Sequence, residues 1–314
     1  MEGGFFMEKI WAYLVHLGFN MWLDWEHPNY RGSDSVYTTS LRCEKGVWDK
    51  LLEEMPKYGV NTVVIDLGEG VKYRSHPEIA IEGAWNVETL KEELKKMRDE
   101  GLEPIPKLNF SSTHDHWLGK YSRCVSTEEY YKVCKDLLNE VIDIFGGPRF
   151  FHLGMDEETY EHQRDMLYVV VRQYDLWWND MLLLVNEVER NGARAWIWSD
   201  HLWRHKEDFL KKMPKTVVQS NWYYDKEFSP DIVYVRAYLE LAEAGYDQIP
   251  TGSNWSCEDN LALTVEFCKK SIPDDHLLGF LQTSWRPTTR KWLDTHIKAL
   301  EAVKKGIEVY KGNL

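Results

Sequence analysis

Three acidic residues in a row, Asp156-Glu157-Glu158, follow a stretch that is apolar except for His152. Such a run has one plain reading, the acidic start of a helix stabilised by the helix dipole. It has a second as paired carboxylates for acid–base work at a glycosidic bond. Carboxylates that flank such a bond usually come from separate positions several ångströms apart. Sequence neighbours suit a different division, in which one protonates the leaving oxygen and the other steadies a nucleophile carried by the substrate. Direct attack by Asp156, Asp66, Glu69 or Asp225 is the competing arrangement.

These residues need elements to position them. Short β-like runs alternate with helical patterns along the whole chain. The strands read Ile10–Leu17, Thr62–Leu67, Pro104–Phe110, Arg149–Gly154, Ala193–Ser199, Val217–Trp222, Gln248–Ser253 and Leu277–Thr283. Helices are expected over Trp48–Tyr58, Val87–Glu100, Thr127–Phe145 with Ser126 as N-cap, Arg172–Arg190, Lys206–Lys212, Ile232–Ala244, Asn260–Ser271 and Lys291–Tyr310. Eight strand–helix units without a linker predict one (β/α)8 TIM barrel spanning residues 1–314, and no GxGxxG follows the first strand to suggest a dinucleotide fold. The active site of such a barrel lies where strands end. There the chain gathers His16, Asn20, Trp22 and Asp24, then Asp66 and Glu69, His114, the acidic run, Trp198 and Asp200, Trp222 to Asp225, Trp255, and Trp285 with Arg286.

Composition narrows the ligand. The chain has 314 residues and a net charge of −13, from 38 basic against 51 acidic side chains. That balance argues against binding nucleic acid or an anionic membrane surface. Fifteen Trp and 17 Tyr in an acidic protein point toward sugars, whose C–H faces stack on aromatic rings while carboxylates take their hydroxyls. Five cysteines without a CxxC favour free thiols in a reducing compartment, and the N-terminus lacks a signal-peptide pattern, so a cytoplasmic location is expected. Scattered histidines show neither HxH on strand one nor HExxH, so no metal or other cofactor is expected.

The segment His152-Leu-Gly-Met-Asp156-Glu157 resembles the HxGxDE signature of glycoside hydrolase family 20, the β-N-acetylhexosaminidases. The resemblance implies that the substrate's own 2-acetamido oxygen attacks the anomeric carbon, with Asp156 as polariser of the acetamido group and Glu157 as general acid and then base. Further segments agree in order. His114 is similar to the family's PGH residue, Trp198 to its acetamido-pocket wall, Tyr223 and Asp225 to its YxD pair, and Trp285 to the floor beneath the sugar. By the same resemblance Tyr223 donates to the acetamido oxygen; Trp222 or Trp255 is expected to join the walls. Asp225, His114, Asn20 and Asp24 hold hydroxyls, and His152 either joins them or orients Asp156. Two departures stand out: strand one ends without the family's Arg, and Pro287 replaces its Glu after the strand-eight Trp. The expected partner is therefore an oligosaccharide or glycoconjugate. A non-catalytic sugar-binding barrel remains an alternative, as does a homodimer whose second copy closes the pocket.

Overall fold

The computed structural model describes residues 8–313. Eight parallel strands form one sheet in the order β6-β5-β4-β3-β2-β1-β8-β7. They are β1 (Ile10–His16), β2 (Thr62–Asp66), β3 (Glu103–Lys107), β4 (Phe150–His152), β5 (Arg194–Trp198), β6 (Val218–Ser220), β7 (Thr251–Ser253) and β8 (Gly279–Thr283). Parallel bridges Gln219↔Gln248 and Trp222↔Thr251 join the two ends of that order, so the sheet closes into the expected (β/α)8 barrel. Helices lie between successive strands, including Val87–Asp99, Glu128–Ile144, Asp175–Arg190 and Asn260–Ser271, and Leu293–Lys311 follows β8. Among the described residues no helix is long and apolar enough to cross a membrane, and all five cysteines are free.

Strand alternation divides the core in two. Ile10, Ala12, Leu14, Val64, Ile105, Phe150, Trp196, Val218 and Leu281 fill the barrel. Their neighbours Trp11, Tyr13, Val15, Val63, Ile65, Phe151 and Ile197 face outward under the helices. Most strands are shorter than their apolar runs, because the final residues leave the ladder to become the mouth of the barrel. The start of helix Glu128–Ile144 differs from expectation. Thr127, not Ser126, is its N-cap, accepting from the Tyr130 N–H. Ser126 sits at φ +61° and donates instead to Asp180 from its backbone and its hydroxyl.

Above the apolar plug lies a polar layer. His16, Asp66, Lys107 and His152 are register partners on four adjacent strands, all buried. The Lys107 ammonium donates to Asp66, whose other neighbour, His16 Nδ1, lies 3.4 Å from the same oxygen. Burial alone would raise the Asp66 carboxyl, but the Lys107 charge and His16 beside it bring it down to about 2. His16 itself is held below its usual range by burial. An ion pair this deep costs desolvation that only its partner offsets. Lys107→Met should therefore destabilise the protein by about 3–5 kcal/mol, while Asp66→Leu combined with Lys107→Met should recover most of the loss. Denaturant midpoints measure both; a double variant no more stable than the single one contradicts this account of the layer.

Candidate active site

The chain leaving β4 turns abruptly. Gly154, Met155 and Glu157 all adopt left-handed backbone angles, φ +70°, +75° and +55°. For residues with a side chain this conformation costs about 1–2 kcal/mol each and persists only where neighbours fix it. Asn109, beyond the end of β3, supplies much of that fixing. Its Oδ1 accepts from the Met155 and Ser111 N–H groups, each at 3.1 Å, and its Nδ2 donates to Asp156 Oδ1 at 2.8 Å. A Cβ on Gly154 would lie 2.0 Å from Asn109 Oδ1, so only glycine leaves room for the side chain that aims Asp156. His152 Nδ1 accepts from the Gly154 N–H at 3.1 Å. The Glu157 N–H donates to Asp200 Oδ2 at 2.8 Å. His, Gly, Asp and Glu in the 152–157 segment are thus one hydrogen-bonded turn.

That turn presents two carboxylates to a shared histidine. His114 Nε2 lies 3.2 Å from Glu157 Oε2 and 3.6 Å from Asp156 Oδ2, while its Nδ1–H donates to the Met21 carbonyl at 2.7 Å. His162 Nε2 approaches Glu157 from the other side at 3.3 Å. Burial would lower His114, but the Asp156 charge and the Glu157 hydrogen bond and charge outweigh it, raising the ring to about 9. Glu157 responds in the opposite sense: burial would raise it, yet His114 and His162 draw it down to about 2. Asp200, buried and close to the Asp156 charge, is pushed up to about 8. His114, Asp156 and Glu157 each offer one ligand atom within 4.8 Å of the others, a donor set that could also hold a cation in competition with the His114 proton.

Aromatic rings enclose the carboxylates. A chamber of about 320 Å³ is lined by Asp156, Glu157 and His162 with Trp22, Trp222, Tyr224, Trp255 and Trp285. A larger one, about 500 Å³, adjoins it across Glu157 and carries Tyr223, Asp225, Asp200, Trp203 and Tyr234 on its walls. Tyr224 is the tyrosine of the smaller chamber. Its hydroxyl is buried near the polar groups of Trp285 and Thr283 without a well-formed hydrogen bond among the described residues, and burial, against those two contacts and with the Asp156 and Glu157 charges adding, raises its pKa. Tyr223 faces away, its ring 5.4 Å from Phe228 and stacked 6.1 Å from Tyr234. Parity explains the exchange, since Val218 and Ser220 point into the barrel and alternation carries Trp222 and Tyr224 inward.

Of the residues expected from the sequence, Asp156, Glu157, Trp222, Trp255 and Trp285 line the smaller chamber, and Asp225 lines the larger. His114 backs the two carboxylates. Trp198 and His152 lie one layer deeper, fully buried, with ring centroids 4.4 Å apart; Trp198 supports Trp285 from 5.7 Å. Asn20 and Asp24 shape loops instead. Asn20 exchanges hydrogen bonds with Thr38 and accepts from Arg42, and Asp24 accepts from the Leu167 N–H at 3.1 Å. Glu158 is absent from the smaller chamber, borders the larger, and is bound by Arg172, whose Nε donates to it at 2.9 Å and whose Nη1 donates to Asp180 at 2.9 Å. Two of the competing nucleophiles are occupied elsewhere, Asp66 pairing with Lys107 and Glu69 Oε1 accepting the Phe19 and Asn20 N–H groups, while Asp225 lines the larger chamber. Trp22, Asp200 and Tyr224 were placed at the strand ends by the sequence but given no role there, and neither Asn109 nor His162 was given one; for Tyr224 and Asp200 strand parity was the available signal.

No family model matches the chain, and no curated protein matches its sequence. Solved structures do match in fold. A β-N-acetylhexosaminidase from Bacteroides fragilis superposes with TM-score 0.66 at 14% identity, covering 95% of this chain and 65% of that one. The chitobiase of Flavobacterium johnsoniae gives 0.62 at 15%, with 94% and 50% covered. A family 20 β-N-acetylhexosaminidase from Streptomyces coelicolor gives 0.62 at 13%, with 95% and 64% covered. The chain thus spans between half and two thirds of the length of these structures, and at such identities the likeness is one of fold.

The charge arrangement carries a stability signature. Asp200 and His114 both have folded pKa values above their usual ones, so each contributes stability at low pH that is lost as pH rises, through about 8 and about 9 respectively. Stability should decline from pH 6 toward pH 9.5. Asp200→Asn, which keeps an oxygen for the Glu157 N–H, should flatten the portion below pH 8. Denaturant midpoints across that range test it; an unchanged slope in the variant removes Asp200 as a source.

Proposed function

We propose that this chain is a retaining, exo-acting glycosidase of the β-N-acetylhexosaminidase kind, cleaving a terminal 2-acetamido sugar with the substrate's own acetamido group as nucleophile. The observation that carries the reading is the aromatic chamber whose only lining carboxylates, among the described residues, are the adjacent Asp156 and Glu157. Adjacent carboxylates on one turn cannot take opposite faces of a sugar ring, as a direct nucleophile and its acid must. The fold shared with solved hexosaminidases supports the reading.

In this mechanism the sugar packs against Trp285, itself backed by Trp198, with Trp22, Trp222 and Trp255 around it. Asp156, aimed by Asn109, accepts the acetamido N–H, which increases the electron density on the carbonyl oxygen. Tyr224 donates its otherwise unpartnered hydroxyl to that oxygen and holds it beneath the anomeric carbon. As the C–O bond breaks, Glu157 delivers a proton to the leaving oxygen. In the free protein that proton resides mainly on His114, 3.2 Å away, and the shared hydrogen bond returns it to Glu157 as the leaving oxygen draws on the carboxyl. Glu157 then takes a proton from water, which opens the cyclic oxazolinium intermediate with net retention.

A panel of 4-nitrophenyl β-glycosides with and without the 2-acetamido group tests this directly. Turnover should be confined to the acetamido sugars and lost in Asp156→Asn. A thiazoline mimic of the oxazolinium should inhibit strongly. Tyr224→Phe should lower kcat about 100-fold, in the range for removing one transition-state donor, whereas Tyr223→Phe should leave kcat within about threefold. Turnover of sugars lacking the acetamido group would overturn the role given to Asp156, and equal effects of the two tyrosine substitutions would overturn the assignment of Tyr224.

A further inference from the structure

A cavity of about 310 Å³ opens beside the smaller chamber and shares Trp22, Trp255 and Trp285 with it. Its chemistry differs. Arg286, the residue after Trp285, lies with its guanidinium carbon 4.2 Å from the Trp255 ring and 4.1 Å from the Trp292 ring. Two indoles on one guanidinium fix its plane and leave its N–H groups directed along that plane. Among the described residues the guanidinium has no hydrogen-bond acceptor and no carboxylate at ion-pair distance. The one acid lining the cavity, Asp34, is already engaged, accepting from Lys291 Nζ at 2.7 Å and Trp292 Nε1 at 2.8 Å. Lys291 is thereby neutralised and Arg286 is not. In a protein of net charge −13 a half-buried, immobilised and unpaired cation at the edge of the site is a selective feature, because the overall field repels anionic ligands.

We propose that Arg286 recognises an oxyanion on the substrate, a carboxylate or sulfate carried by the sugar adjoining the one that is cleaved. The inference rests on the glycosidase reading above and names its substrate class as an acidic oligosaccharide. A planar guanidinium held between indoles meets a carboxylate or sulfate edge-on through two N–H groups, and little side-chain freedom is lost when it does so. The shared tryptophans make the path continuous: a disaccharide with its terminal sugar against Trp285 extends past Trp255 or Trp22 into the cavity where Arg286 lies.

The test uses the full chain and three non-hydrolysable S-linked disaccharides, each with a terminal 2-acetamido-2-deoxy-β-hexose. The second sugar is a hexuronic acid, a 6-O-sulfated hexose or the neutral hexose. Calorimetry at low salt should show at least one acidic disaccharide binding about tenfold more tightly than the neutral one, and which acid is preferred separates carboxylate from sulfate. The ratio should fall toward one at high salt, and also in Arg286→Gln. Arg286→Lys should retain only part of the preference, since it keeps the charge without the planar fork. Equal affinities in the wild-type protein, or a preference that survives Arg286→Gln, overturn the proposal. Should no disaccharide bind while the 4-nitrophenyl acetamido glycoside is still turned over, this inference fails and the function stands. If nothing is bound or turned over, both fail.

Discussion

In a closed barrel of parallel strands each side chain has two destinations, the interior or the layer beneath the helices, and the choice alternates residue by residue. That constraint organises this protein from floor to mouth. The interior positions are apolar near the strand starts, then give an arc of His16, Asp66, Lys107 and His152 across four neighbouring strands. Continued upward, the same alternation delivers Asn109, Asp156, Asp200, Tyr224 and Trp285. This arc of four side chains, charged at Lys107 and Asp66, lies between the apolar plug and the polar mouth, and the Lys107–Asp66 pair gives it a fixed geometry.

Alternation alone would aim Asp156 inward and Glu157 outward. The left-handed backbone at Met155 and Glu157 breaks it, bringing two consecutive carboxylates to one histidine. Such strain requires support, which comes from side chains on the flanking strands: Asn109 after β3 holds Met155 and Asp156, and Asp200 after β5 holds Glu157. The HxGxDE spacing therefore has a mechanical meaning in this chain. Histidine accepts from the turn, glycine clears Asn109, and the two acids occupy the only places where the turn can present both.

The barrel was legible because eight apolar runs alternate with amphipathic helices, and each strand–helix unit appears where its pattern lies. The carboxylates were legible for a similar reason, as a polar run directly after an apolar strand. Tyr224 was missed by following a motif instead of parity, though Val218, Ser220 and Trp222 mark the inward set. Asn20 and Asp24 occupy a strand end without reaching the mouth, because the loop after β1 folds back and uses them on Thr38, Arg42 and Leu167. His152 and Trp198 have the right parity but stop one layer low, and a residue's height along the barrel is set by register, which no single strand reveals. His162 lies on the short helix Tyr160–Gln163 within the loop after β4, and the stacking of Arg286 between Trp255 and Trp292 joins separate loops. Neither has a local pattern.

Backbone support and proton control also turn out to be one device. Asp200 is positioned to hold the Glu157 N–H, and that position buries it near Asp156, which pushes its carboxyl up to about 8. His114 is anchored on the Met21 carbonyl, which leaves Nε2 facing both acids and raises the ring to about 9 while lowering Glu157. Two carboxyl groups linked through the Glu157 N–H, those of Asp200 and Glu157, are thus pulled in opposite directions. Moving a proton between His114 and Glu157 requires no movement of the chain, since the two already share a hydrogen bond. Both acids lining the smaller chamber are held by fixed partners, Asp156 by Asn109 and Glu157 by His114 and His162, so the contacts that aim them are in place before any ligand arrives.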